Sequence, residues 1–92
     1  MPTIAAWIKI DGENTGRALH DACEKLNSGE GELVLDFSSV RRIDAGGIRA
    51  LEELVAAADE KTTKVVLHGV NIDIYKVLKL VKLTPRFSFR GQ

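Results

Sequence analysis

The chain has 92 residues, with 13 Lys+Arg against 13 Asp+Glu, 45% hydrophobic residues, 5% aromatics and one cysteine. One compact core without covalent staples suits that length and composition, and a lone cysteine excludes a disulfide framework, a cysteine-rich zinc site and an iron–sulfur site. No apolar run approaches the roughly 18 to 20 residues of a membrane span, and the first seven residues lack the basic flank and long apolar stretch of a secretion signal, so the expectation is a single cytoplasmic domain over residues 1–92, not inserted in a membrane.

Trp7-Ile8-Lys9-Ile10, ended by Asp11-Gly12, reads as a strand with residues 3–6 leading into it. From about Asn14 to Leu26, the residues Leu19, Ala22, Cys23 and Leu26 recur at i, i+3, i+4 and i+7, one face of a helix that Asn27-Ser28-Gly29 should stop. Leu33-Val34-Leu35-Asp36-Phe37 is a short apolar run that suits a strand covered on both faces. Ile48, Leu51, Val55 and Ala58 form the stripe of a helix over about Gly46 to Asp59, with Asp44 able to cap it. Lys64 to His68 reads as another buried strand, Gly69-Val70-Asn71 as a turn with Asn71 as the next cap, and Ile74, Val77, Leu78 and Val81 as the face of a third helix. Thr84-Pro85 should end that helix, and Arg86 to Phe89 adds an edge strand.

Strands alternating with helices predict an α/β domain with a central, mostly parallel sheet of four to five strands and three to four helices. Its functional surface is expected in the loops at strand carboxyl ends and helix amino ends, where backbone groups are free.

Enzyme readings find little support in the residues. Asp11 to Gly16 has the opening of a calcium loop, but its twelfth position is Ala22 rather than a bidentate Glu, so a solvated turn is expected. His20 and Cys23 stand three apart, yet Cys23 belongs to the apolar stripe and reads as a small core residue. His68 has no second imidazole near it in sequence, Ser38 and Ser39 have no nearby histidine, and neither nucleotide-binding glycine fingerprint occurs. Lys76, Lys79 and Lys82 form a basic ridge without interleaved aromatics, so nucleic acid is not expected as a partner.

One segment stands apart. Leu33 to Phe37 runs into Ser38-Ser39-Val40-Arg41-Arg42-Ile43, then Asp44-Ala45-Gly46-Gly47 opens a helix. Glycines at a helix start cost helix stability. They leave backbone N–H groups approachable by an anion or a partner chain, or they satisfy a tight turn; the residues alone leave both readings open.

This segment resembles the strand, loop and Asp-Ser-Ser-Gly-Leu signature of the STAS family, shared by bacterial anti-sigma factor antagonists and the cytoplasmic tails of sulfate transporters. Lys64 to Asn71 and Val77 to Leu83 are similar to that family's strand, Gly-Val turn and leucine-bearing helix, so the resemblance spans roughly residues 32 to 89. It implies a STAS-like single domain and a non-enzymatic binding module without cofactor or metal. In phosphorylated antagonists, the residue after the signature Asp is the Ser or Thr that a partner kinase modifies; here it is Ala45, which has no hydroxyl. The implied docking surface comprises Ser38, Ser39, Asp44, Ala45, Gly46, Gly47, Arg49, Glu52 and Glu53, and the implied partner is an anti-sigma factor or regulatory kinase. A second implication is a STAS subunit of a bacterial lipid-transport ABC system that maintains outer-membrane asymmetry, with an ATPase subunit as partner. Asp44 with Gly46 and Gly47, and Gly69-Val70-Asn71 followed by Tyr75, Lys79 and Leu80, resemble that type, which usually has Thr at the position of Ala45.

The zero net charge conceals a division. Residues 1–60 hold six basic and twelve acidic groups, a net −6, and residues 61–92 hold seven basic groups and one acidic group, a net +6. A partner that engages the second helix is therefore expected to be basic, with association slowed by salt.

Overall fold

In the computed structural model, which describes residues 4–24 and 31–90, the apolar runs become β1 (Ile4–Lys9), β2 (Glu32–Asp36), β3 (Lys64–His68) and β4 (Ser88–Arg90). Between them lie α1 (Thr15–Glu24), α2 (Ala45–Glu60) and α3 (Ile72–Leu80), with a short 3-10 turn at Thr84–Arg86. The four strands pair in chain order, β1-β2-β3-β4, and every pairing is parallel. This is the expected α/β architecture, with four strands and three α-helices among the described residues.

Alternation within the strands decides where the helices sit. Ile8, Leu33, Leu35, Val65 and Leu67 share one cluster with Leu19 and Ala22 of α1, Leu51, Leu54 and Val55 of α2, and Ile74 and Leu78 of α3. The opposite sheet face carries the row Trp7, Val34, Val66 and Ser88, as the register pairs Trp7 with Val34, Val34 with Val66, and Val66 with Ser88. Val34 and Val66 are buried there too, as the expectation of strands covered on both faces requires. On that side the Trp7 ring lies 5.1 Å from His68, and the Arg90 guanidinium reaches both carboxylate oxygens of Glu32 at 3.1 Å. Both contacts come from the one nitrogen Nη2, and they satisfy a carboxylate that is only 4% exposed.

Some boundaries differ from the expectations. β1 extends back to Ile4, and β2 begins at Glu32 and ends before Phe37, although Phe37 is still fully buried. α2 buries Gly47, Ala50 and Leu54 besides Leu51, Val55 and Ala58, while Ile48 is only partly buried, because the helix packs on α1 as well as on the sheet and needs a wider apolar arc. Val81 does not join the core: it is the C-cap of α3 and 41% exposed. β4 starts two residues later than expected because Pro85, which lacks an N–H, sits in the 3-10 turn. Leu26 and the stop at Asn27, Ser28 and Gly29 lie outside the described residues.

Candidate functional site

The loop from Phe37 to Asp44 leaves the carboxyl end of β2 and is held from several sides. The Phe37 N–H donates to the His68 carbonyl at 2.7 Å, which carries β2–β3 pairing one step past the strands. Asp36 Oδ1 accepts from the Ser38 N–H at 2.9 Å, and the Val40 N–H donates to the Phe37 carbonyl at 2.9 Å, which closes the turn. Asn71 works twice: its Oδ1 caps α3 by accepting from the Ile74 N–H at 2.8 Å, while its Nδ2 donates to the carbonyls of Val40 at 3.2 Å and Arg41 at 3.1 Å. Gly69 has φ +73°, and a Cβ there would stand 3.1 Å from that of Ser38. On the other flank, a Cβ on Gly12 would lie 2.2 Å from the Ser39 carbonyl oxygen, so the β1–α1 turn presses against the loop backbone to backbone.

Asp44 ends the loop as the N-cap of α2: its backbone is extended (φ −99°, ψ −177°) and its Oδ1 accepts from the Gly47 N–H at 2.9 Å. Ala45 and Gly46 are exposed on the first turn, whereas Gly47 is buried, and a Cβ there would meet Ile43 Cγ1 at 2.6 Å. The two glycines therefore differ in purpose: Gly47 answers to packing, and Gly46 leaves the helix start uncovered. Arg49, Glu52, Glu53 and Ala56 continue the exposed face that Ala45 begins, and Ser38 and Ser39 are exposed at the turn of the loop.

The structure adds a wall that the sequence reading did not assign to the site. Gly16, at the start of α1, comes within ordinary contact of the Gly46 backbone, with a hypothetical Cβ 3.8 Å from the Gly46 carbonyl. Between the two helix starts runs an open groove of about 420 Å³, lined by Glu13, Arg17 and His20 on one side and Asp44, Gly46, Arg49 and Glu53 on the other. The only signal for this in the sequence was topological, since every loop at the carboxyl edge of a parallel sheet arrives at the same end. Both basic and acidic side chains line the groove, which suits a partner with charges of both signs better than a compact phosphate.

Of the groups considered for catalysis, Asp36 pairs in register with His68 and accepts from the Ser38 N–H, and the others are engaged locally. Asp11 Oδ1 accepts from the Glu13 N–H at 2.9 Å as part of the turn into α1, and no group of three or more metal-ligating side chains occurs among the described residues. His20 is exposed and pairs with Glu24 at 3.4 Å. Burial, followed by the Glu53 and Glu24 carboxylates, pushes the Cys23 thiol up from its ordinary value against an opposing effect of Lys61, which disfavours the nucleophilic thiolate. His68 faces Trp7 on the far side of the sheet from the helices.

With this geometry in view, the family is decided by one match: residues 4–85 fit the family model described as Mlab, STAS domain. The chain belongs to the STAS family. Two curated relatives, the intermembrane phospholipid transport system binding protein MlaB of Escherichia coli (strain K12) and that of Shigella flexneri, are each 37% identical to it over 54 residues, 59% of this chain and 56% of theirs. The match thus spans little more than half the length of those relatives. Among solved structures, a putative anti-sigma factor antagonist from Thermotoga maritima superposes with TM-score 0.72 at 19% identity, over 95% of this chain and 74% of its own. An anti-sigma-factor antagonist STAS domain protein from Planctomyces limnophilus gives TM-score 0.77 at 10% identity, over 94% and 81%. At such identities these structures speak for the shared STAS fold.

Proposed function

We propose that this STAS domain is a non-enzymatic protein-binding subunit of a bacterial lipid-transport ABC system, and that it docks on the ATPase subunit through the Asp44–Gly47 loop and the outward face of α2. The observation that carries this reading is the 37% identity to two phospholipid-transport binding proteins. The anti-sigma factor antagonist reading has a likeness of fold behind it at 19% and 10% identity, and that is a weaker ground.

The geometry supports docking over chemistry. The capped helix start exposes Ala45 and Gly46, the face beyond them carries Arg49, Glu52 and Glu53, and the groove beside them holds charges of both signs. Ala45 offers no hydroxyl to a kinase, so the contact is set by shape and charge without a phosphoryl switch at that position.

The test is co-purification of the chain with the ATPase subunit of its own organism's lipid transporter. Gly46→Arg and Arg49→Glu, both at exposed positions, should abolish capture while leaving the circular dichroism spectrum unchanged; Gly47→Arg is unsuitable because that glycine is buried. Capture should weaken as salt rises. Unchanged capture by both variants would move the interface elsewhere, and selective capture of an anti-sigma kinase domain would return the signalling reading.

A further inference from the structure

The outward side of α3 has a composition that the α2 reading leaves unexplained. Its inward side is ordinary, with Ile74 and Leu78 in the core. Outward, Leu80 is 81% exposed and Ile72 is 69% exposed; Val81 and Tyr75 are about half as exposed, at 41% and 40%. Single exposed apolar residues need no explanation, but Ile72 and Leu80 both stand on the outward half of one short helix, whereas the Tyr75 ring packs against Phe89 at 5.2 Å and Val81, at the C-cap, lies toward the azimuth of Ile74 and Leu78. Ile72 and Leu80 stand eight positions apart, about 12 Å along the axis and about 80° apart around it, both on the half of the helix turned away from Ile74 and Leu78. Lys76 lies between them, Lys79 precedes Leu80, and Lys82 follows Val81; all three are exposed.

We propose that this stripe is a peripheral docking surface for an anionic lipid bilayer, on which Ile72 and Leu80 enter the headgroup boundary and Lys76, Lys79 and Lys82 meet the lipid phosphates. Two observations favour a bilayer over a protein. The most exposed apolar side chains stand up from a convex helix among lysines, whereas the cores of protein interfaces are depleted in lysine. Lysine stems lie along apolar surface with the ammonium reaching outward, so a leucine–lysine mixture matches a boundary where hydrocarbon gives way to phosphate. The charge is complementary as well: α3 and the residues just after it carry Lys76, Lys79 and Lys82 against one acidic group, Asp73, while Arg86 and Arg90 are engaged by Asp59 and Glu32. No helix among the described residues is long and apolar enough to cross a membrane, so the contact is adsorption. This surface is separate from the α2 face, and the proposal holds or fails independently of the ATPase reading.

Sedimentation with vesicles of equimolar phosphatidylcholine and phosphatidylglycerol tests it. The chain should partition onto these vesicles, stay off pure phosphatidylcholine, and be released near 1 M salt, where the Debye length falls to about 3 Å. Lys79→Gln should lower the partition coefficient about fivefold, and Leu80→Ser about tenfold, with folding unaffected because both side chains are exposed. Absence of binding to the mixed vesicles, or binding indifferent to both Lys79→Gln and Leu80→Ser, overturns the proposal. So does loss of vesicle binding in Gly46→Arg, which would shift the lipid contact to the α2 loop. A purified protein partner that needs Leu80, in the absence of any vesicle binding, would make this face a protein interface instead.

Discussion

Gly12 approaches the Ser39 carbonyl oxygen so closely that a Cβ would sit 2.2 Å from it, and neither side of this contact is a side chain that can swing aside. Gly12→Ala must therefore displace the β1–α1 turn or the β2–α2 loop. The expected loss is about 2 to 3 kcal/mol, the range of an overpacked site that relaxes through backbone. Urea unfolding, with the slope of the transition unchanged, is the measurement.

The neighbouring glycines Gly46 and Gly47 should respond to alanine with opposite signs. A Cβ on Gly46 meets only Asp44 Oδ1 at 3.4 Å, so the gain in helix propensity dominates and Gly46→Ala should stabilise by up to about 1 kcal/mol. At Gly47 the methyl would lie 2.6 Å from Ile43 Cγ1, so Gly47→Ala should destabilise by about 1 to 2 kcal/mol. Thermal unfolding of the two single variants separates them.

These contrasts mark where the sequence was legible. The β3 strand was readable to the residue and β2 to within one, because a short apolar run between turn residues has few other solutions. Asp44 and Asn71 announced themselves as caps because capping depends on local spacing. Ile48 was given too large a part in the core and Leu54 none, since the inward arc of α2 is set by its second neighbour, α1, and not by its own periodicity. The groove was invisible for a related reason: Gly16 and Gly46 are thirty positions apart, and nothing in either segment states that they touch.

Thr62 follows the last turn of α2 with φ +58°, where a β-branched residue is strained. The surrounding hydrogen bonds, Thr63 N–H to the Ala58 carbonyl at 2.9 Å and Thr62 N–H to the Asp59 carbonyl at 3.3 Å, are those of a left-handed helix ending that favours glycine. Thr62→Gly should stabilise by about 0.5 to 1 kcal/mol, the relief of strain exceeding the added freedom of the unfolded chain. Calorimetry should register a rise of about 4 to 8 °C per kcal/mol.

Asp36 carries the pH signature of the loop. The Ser38 hydroxyl and then the Ser38 N–H, both bonding to the carboxylate, hold its carboxyl below the ordinary value. A lowered folded value means that the contribution to stability is present above the unfolded pKa of about 3.9 and disappears as pH falls through the folded one. Ser38→Ala removes the larger cause, so the Asp36 midpoint in a carbon-13 carboxyl titration should move up toward 3.9. An unmoved midpoint would reject the role of the hydroxyl.

The double grip of Asn71 on α3 and on the carbonyls of Val40 and Arg41 has a kinetic meaning for whatever meets the loop. A recognition segment already fixed by its neighbours surrenders little conformational entropy on contact, so encounter need not wait for the loop to find its shape. Association should be governed by diffusion and charge, with specificity expressed in how long the complex survives.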